Sequence, residues 1–125
     1  MRRRQLGQRG EQLAADYLQQ QGYRLTERNY RCRLGEIDLI AWDAQTLVFI
    51  EVKTKGHLQF GVPQSMVTRS KQQKIVRVAM VYVQERHLRD KPLRFDVIAI
   101  TSLAGITPEI VHIPAAFSAT EFFSY

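Results

Sequence analysis

Two short apolar segments of the sequence carry acidic residues and a lysine at alternating positions. Residues 35–40 read Gly-Glu-Ile-Asp-Leu-Ile, and residues 49–53 read Phe-Ile-Glu-Val-Lys. Because side chains alternate along a β-strand, Glu51 and Lys53 share one face, and Asp38 lies on one face of the preceding strand. Carboxylates bind hard divalent cations, and an ammonium group beside a bound phosphate offsets developing negative charge. This combination is typical of metal-assisted phosphodiester hydrolysis.

The two segments are predicted to form an antiparallel hairpin. A turn centred on Ala-Gln places Asp38 opposite Glu51 and Glu36 opposite Lys53. Ala-Gln is a poor two-residue turn, so we expect a four-residue loop over residues 43–46, which keeps the same register. Like charges that face each other destabilise a sheet, and a cation between them removes the conflict. Oxygen ligands without Cys or His favour Mg²⁺ or Mn²⁺.

A purely structural role is the alternative for each of these residues. Glu51 and Lys53 would then form a solvated pair, and Asp38 would be a charge at the sheet edge. Three charges that converge among apolar neighbours favour the catalytic interpretation. Glu11 borders the apolar stripe of the first predicted helix, from which it can reach over the sheet as a further metal or water ligand. Its alternative role is a favourable interaction with the helix dipole.

The basic charge of the chain indicates a polyanionic partner. The net charge is +6, and all 18 Lys and Arg residues lie within residues 1–94. Such a balance is typical of nucleic-acid binding, although it also serves solubility alone. Lys71 begins the apolar stripe of the second predicted helix and is therefore aimed at the sheet, with a solvated basic face as its alternative. The candidate nucleic-acid contacts are Arg24, Arg28, Arg31, Arg33, Lys55, Arg69, Lys71 and Lys74.

Hydrophobic periodicity predicts the elements that position these residues. Helices are predicted over residues 7–21 and 68–87. Strands are predicted over residues 23–30, 36–42, 46–55, 93–101 and 109–113. The order α-β-β-β-α-β-β predicts an α/β fold in which a mixed sheet is flanked by helices. The first strand is expected at an edge of the sheet, and the strand over residues 93–101 is expected to be central.

Length and composition bound the remaining possibilities. A chain of 125 residues predicts one domain, residues 1–125, with a basic segment 1–6 and an aromatic tail 114–125 that packs onto the body or onto a partner. The sequence contains neither a membrane-spanning apolar run nor the pattern of a secretory signal. Cys32 is the single cysteine, so an intrachain disulfide is excluded and a cytoplasmic location is expected.

Motifs along nearly the whole chain carry a family resemblance. They are Gly10-Glu11-x-x-Ala14, Tyr17-Leu18, Gly22-Tyr23, Asn29-Tyr30, the two strand motifs, Phe60-Gly61, Lys71 and Arg94-Phe95-Asp96. With them the chain resembles the YraN-like uncharacterised bacterial family, which is similar in fold to archaeal Holliday-junction resolvases and the PD-(D/E)xK nuclease superfamily. The resemblance implies a restriction-endonuclease-like core with Asp38 and Glu51 as metal ligands. It further implies Lys53 as the catalytic lysine and Glu11 as the acid of the first helix.

Three hypotheses follow from the sequence. The first is a Mg²⁺- or Mn²⁺-dependent endonuclease that acts on DNA, with branched DNA as a candidate substrate and a homodimer as a candidate assembly. The second is a non-catalytic nucleic-acid-binding module that retains a nuclease-like fold. The third is an interaction protein that docks through its aromatic tail. Because one fold supports many functions, the site must decide between them.

Overall fold

In a computed structural model of the chain, two α-helices lie on opposite faces of a five-stranded sheet. The structure describes residues 3–55, 67–101 and 107–122. The helices are α1 (Arg3–Gln20) and α2 (Arg69–Glu85), and a short 3-10 helix covers Ala119–Phe122. The strands are β1 (Arg24–Cys32), β2 (Gly35–Asp43), β3 (Thr46–Lys55), β4 (Leu93–Thr101) and β5 (Glu109–Phe117). The predicted order α-β-β-β-α-β-β is confirmed.

The strands lie in the sheet in the same order as in the chain, from β1 to β5. β3 and β4 are parallel and are connected through α2, whereas the other neighbouring pairs are antiparallel. β1 is an edge strand as predicted. β3 is the middle strand, and β4, which was expected to be central, lies between β3 and the edge strand β5. This mixed sheet with helices on both faces is consistent with an α/β nuclease-like core.

The helix boundaries follow the local sequence. α1 begins four residues before the predicted start, because good helix formers precede residue 7. α1 ends just before Gly22, which has a left-handed backbone with φ +91°. Thr68 caps α2, since its hydroxyl accepts a hydrogen bond from the Lys71 N–H at 3.1 Å. Across the described residues, neither helix has the length and apolar character needed to cross a lipid bilayer.

The turn between β2 and β3 is shorter than predicted. Asp43 pairs directly with Thr46, so the expected four-residue loop is wrong and the turn has two residues. Ala44 takes a left-handed backbone with φ +53°, which a small side chain tolerates at modest cost when the flanking strands are firmly paired. The predicted register is confirmed between this turn and the Leu39–Ile50 pair.

Each helix covers its own apolar layer. The α1-side core contains Leu18, Ile50 and Ile98, all without exposed surface. The α2-side core contains Phe49 and Phe95, whose rings stack with centroids 5.4 Å apart. The sheet is therefore buried on both faces, and its interior strands read as nearly continuous apolar runs.

The described part of the aromatic tail packs onto the body. Phe117 ends β5, is 8% exposed and stacks on Phe95 at 5.3 Å. Phe122 packs against the α2-side core beneath the guanidinium of Arg69, 4.8 Å from its ring centroid. β5 is longer than predicted because it continues through Pro114, which an edge strand tolerates. Residues 123–125 lie outside the described part of the chain.

A buried polar network joins β4 to β5. Asp96 has no exposed surface and lies 2.9 Å from Arg94 Nε, 2.7 Å from His112 Nε2 and 3.0 Å from the Ala115 N–H. Although burial opposes ionisation, the hydrogen bonds from these three residues lower the pKa of Asp96 below its ordinary value. Arg94 also donates to Asp43 at 2.8 Å. The network therefore fixes the β2–β3 turn and β5 to the interior of the sheet.

Replacing Asp96 by alanine is expected to destabilise the fold strongly. The substitution leaves the Arg94 guanidinium and the His112 imidazole without their shared acceptor, and such a loss costs about 3 kcal/mol of the free energy of unfolding. Urea denaturation followed by circular dichroism measures it. Asp90→Ala is the matched control, since Asp90 is exposed and its loss is expected to change stability by less than roughly 0.5 kcal/mol. Equal losses in both variants would contradict the assignment.

Candidate active site

Asp38 lies where β2 and β3 separate. Within the described sheet, the two strands pair no further than Leu39 and Ile50. The predicted pairs that are therefore not formed there are Asp38 with Glu51 and Glu36 with Lys53. Instead, the Asp38 Oδ2 atom accepts a hydrogen bond from the Val52 N–H at 2.8 Å. A side-chain oxygen thus satisfies a backbone donor that a regular ladder would pair with a carbonyl.

Glu51 is a buried acid beside a second acid. It is 7% exposed. Burial, followed by the hydrogen bond and negative charge of Asp38, raises the pKa of Glu51 to about 8. Lys71 and Lys53 oppose this rise, and the Lys71 Nζ atom lies 3.6 Å from Glu51 Oε2. The solvated Glu51–Lys53 pair considered as the alternative is therefore not what the structure shows, because Glu51 is enclosed.

Glu11 lies near Asp38, on α1. Burial, followed by the negative charge of Asp38, raises the pKa of Glu11, and a hydrogen bond with the Asn29 side chain opposes the rise. Gly10 allows this part of α1 to lie directly on β3. A Cβ atom at Gly10 would stand 2.0 Å from Thr54 Oγ1, so a larger residue cannot occupy the position unless Thr54 moves.

The oxygen donors of the site fit a hard divalent cation. Among the residues that the structure describes, no three His, Cys, Asp or Glu side chains come close enough to share one ion. Asp38 and Glu51 are therefore the two acidic side chains that could hold the ion. Mg²⁺ is commonly held by one or two carboxylates while water and substrate phosphate complete its shell, so two acids are sufficient. Glu11 lies near Asp38 but does not form a three-acid group with it and Glu51.

Some of the candidate basic residues surround the acidic pair. The positive charges of Lys71 on α2 and Lys53 on β3 lower the pKa of Glu51. Arg31 lies near enough to Glu11 for its charge to lower the pKa of that acid, and it forms an ion pair with Glu36 at 2.5 Å. Positive charge thus reaches the site from two strands and from one helix.

Other candidate basic residues have different surroundings. Arg24 lies over the Trp42 ring at 5.8 Å, and Trp42 is four residues, or roughly 13 Å, along β2 from Asp38. Arg28 donates to Gln12 of α1 at 2.8 Å. Arg69 is paired with Glu121 at 3.5 Å. The remaining positions are Arg33 in the exposed β1–β2 turn, Lys74 on the exposed face of α2, and Lys55 at the end of β3, whose side chain is outside the description.

Sequence reasoning did not assign roles to Gly10 or Asn29. A glycine inside a helical pattern usually marks close packing, and the pattern contained that signal. Asn29 has a left-handed backbone with φ +52° within β1. Asparagine tolerates this conformation better than most residues, so its presence inside a predicted strand was the available signal. Gly10 precedes Glu11 in α1, and Asn29 lies in β1, which pairs with the strand that contains Asp38.

The comparison with known protein families now identifies the group to which the protein belongs. The model of the family described as "Uncharacterised protein family UPF0102" matches residues 10–100. The chain belongs to the UPF0102 family. This confirms the resemblance to the YraN-like family. The matched region includes all four candidate catalytic residues, Glu11, Asp38, Glu51 and Lys53.

Curated UPF0102 proteins are similar along almost their whole length. One from Geobacter sulfurreducens is 50% identical over 112 residues, which cover 90% of this chain and 88% of the relative. One from Trichlorobacter lovleyi is 48% identical, covering 90% and 89% of the two chains. One from Nocardia farcinica is 46% identical, covering 90% and 88%. These names give a family without a stated activity, so the function rests on the site.

Glu51→Gln is expected to change how stability depends on pH. In the folded protein the pKa of Glu51 is about 8 against 4.5 in the unfolded chain. Below pH 4.5 the acid is protonated in both states and does not reduce the free energy of unfolding. As the pH rises above 4.5, ionisation in the unfolded chain reduces that free energy, and the reduction is complete above about pH 8. Relative to the native chain, the glutamine variant is expected to gain on the order of 2 kcal/mol of unfolding free energy at about pH 9.

Urea denaturation in chelator-treated buffer at several pH values measures this gain. Glu109→Gln is the control, since Glu109 is an exposed acid at the start of β5. If the gain in unfolding free energy is the same at acid and alkaline pH, the pKa of Glu51 is not raised. If Glu109→Gln shows the same gain, the effect is not specific to the buried position of Glu51.

Gly10→Ala is expected to loosen the contact between α1 and β3. The added methyl group collides with Thr54 Oγ1, and overpacking of this kind costs roughly 1–3 kcal/mol. Thermal unfolding of the variant measures the loss. Thr54→Ala removes the colliding hydroxyl, so the double variant should lose less stability than the sum of the two single variants. A stabilised Gly10→Ala protein, as helix propensity alone predicts, would refute the contact.

Proposed function

We propose that the protein is a nuclease that requires Mg²⁺ or Mn²⁺ and hydrolyses phosphodiester bonds in DNA. The observation that carries the proposal is the buried Glu51 carboxyl group, which lies against Asp38 and is flanked by Lys53 and Lys71. A carboxyl pair with restricted access to water is unfavourable in a purely structural role. A bound divalent cation would turn this repulsion into shared coordination.

The residues around the pair suit hydrolysis of a phosphodiester. Asp38 and Glu51 would hold the cation, which would supply Lewis-acid activation of water and charge neutralisation at the phosphate. Lys53 lies on the same strand as Glu51 and offers an ammonium group to the phosphate oxygens. Glu11 has a raised pKa and so is suited to exchange a proton with water near the reacting phosphate.

A nucleic acid substrate is supported by the charges around the site. Lys71 and Arg31 approach from opposite sides, and their ammonium and guanidinium groups match the phosphates of a polyanion. Arg33 and Lys74 extend the same sign of charge on exposed positions. The resemblance to resolvases adds branched DNA and a homodimeric assembly as finer parts of the proposal.

A non-catalytic nucleic-acid-binding module is the second candidate. The 3.6 Å contact between Lys71 and Glu51 favours it, because the lysine partly neutralises the buried acid without any metal. In that case the acidic pair is structural, and DNA affinity depends on salt but is independent of divalent cations.

Asp38→Ala is expected to separate the two candidates. Purified protein is incubated with Mg²⁺ or Mn²⁺ and with duplex, single-stranded, flap and four-way-junction DNA. The substitution should reduce cleavage by about 100-fold or more while DNA binding and folding persist. Lys53→Met should also reduce the cleavage rate, whereas Lys91→Met is the control at a lysine of the α2–β4 connection.

Cation binding, measured by calorimetry, accompanies the cleavage panel. A nuclease predicts Mn²⁺ binding that Asp38→Ala weakens. Salt-sensitive DNA binding with neither cleavage nor cation uptake would overturn the nuclease proposal in favour of the binding module. Absence of both DNA binding and cleavage would overturn both candidates.

A further inference from the structure

We infer that Asn29 is a positioning residue of the site, acting through its left-handed backbone, an inference that rests on the proposed function for its catalytic meaning. Asn29 has φ +52°, in a region that L-residues other than glycine rarely adopt. In the β1–β2 register, Arg28 pairs with Leu39 and Tyr30 pairs with Ile37. The position between these pairs places Asn29 opposite Asp38.

β1 changes faces at Asn29. Arg28 donates to Gln12 of α1 at 2.8 Å, so it lies on the α1 side of the sheet. Tyr30 packs edge-on against Tyr82 of α2, with ring centroids 4.9 Å apart, so it lies on the α2 side. Two residues separated by one position share a face of a regular strand. The left-handed residue between them therefore shifts the alternation by one.

β2 changes faces at the position opposite. Leu39 belongs to the α1-side core, whereas Ile37 belongs to the α2-side core. The residue between them is Asp38. Both strands thus shift their alternation at the same position, Asn29 in β1 and Asp38 in β2. Paired residues therefore still point to the same face of the sheet on either side of that position. A regular Asn29 would leave the two strands out of phase beyond this position.

The shift explains why Asp38 is free to serve the site. Within the described sheet, Asp38 has no ladder partner in β1 or in β3. Its carboxylate instead reaches the Val52 N–H and stands beside Glu51. The Asn29 side chain meanwhile lies close enough to Glu11 to lower the pKa of that acid. One left-handed residue therefore sets the orientation of Asp38.

Comparison of Asn29→Gly with Asn29→Val tests the inference. Glycine adopts the left-handed backbone freely, whereas a β-branched residue is strongly disfavoured there. The first measurement is hydrogen exchange of the Val52 amide in metal-free protein, relative to the paired Val48 amide. The second is Mn²⁺ affinity by calorimetry. Asn29→Val should reduce Val52 protection and Mn²⁺ affinity by about tenfold each, and Asn29→Gly should retain both within roughly threefold.

The outcomes keep this inference distinct from the proposed function. If Asn29→Val leaves Val52 protection unchanged, or if Asn29→Gly loses it to the same extent, the inference is wrong. If Asn29→Val does not fold, Asn29→Ala takes its place with a smaller expected loss. If the native chain takes up no Mn²⁺, the nuclease proposal fails, while Val52 exchange still decides the role of Asn29.

Discussion

The contact between two carboxyl groups, Asp38 and Glu51, is the interaction on which the rest of the site depends. It is unfavourable by itself, since burial and mutual repulsion raise the pKa of Glu51 to about 8. The fold maintains it with a specific hydrogen bond from the Val52 N–H to Asp38 and with the nearby charge of Lys71. Free energy stored in this way is typical of a site prepared for a ligand.

Stability needed to hold this contact comes from elsewhere in the sheet. The apolar layers on both faces enclose β3 and β4, and hydrogen bonds from three residues satisfy the buried charge of Asp96. Thus one acid of the sheet is stabilised in its ionised form, whereas Glu51 is disfavoured in that form. The difference follows from their partners: Asp96 meets cationic and N–H donors, and Glu51 meets another acid first.

Alternation and β-branched content were enough to predict the strands, their order along the chain and the register of β2 with β3 from the turn to the Leu39–Ile50 pair. The same alternation placed Glu51 and Lys53 correctly near each other. It failed at Asp38, because it assumes that the ladder continues, whereas β2 and β3 pair no further than Leu39 and Ile50 within the described sheet. The predicted turn length was wrong because the pairing of β2 with β3 imposes a left-handed backbone on Ala44, which this residue type disfavours. The raised pKa of Glu51 depends on its burial and on the neighbouring Asp38, and neither could be predicted from spacing.

Irregular backbone also marks both borders of the sheet. β1 contains the left-handed Asn29, and β5 contains Pro114 followed by Ala115 at φ +51°. Each irregularity interrupts the straight row of N–H and C=O groups that a foreign strand would need for pairing. Growth of this sheet into a continuous intermolecular ribbon is therefore hindered at either border.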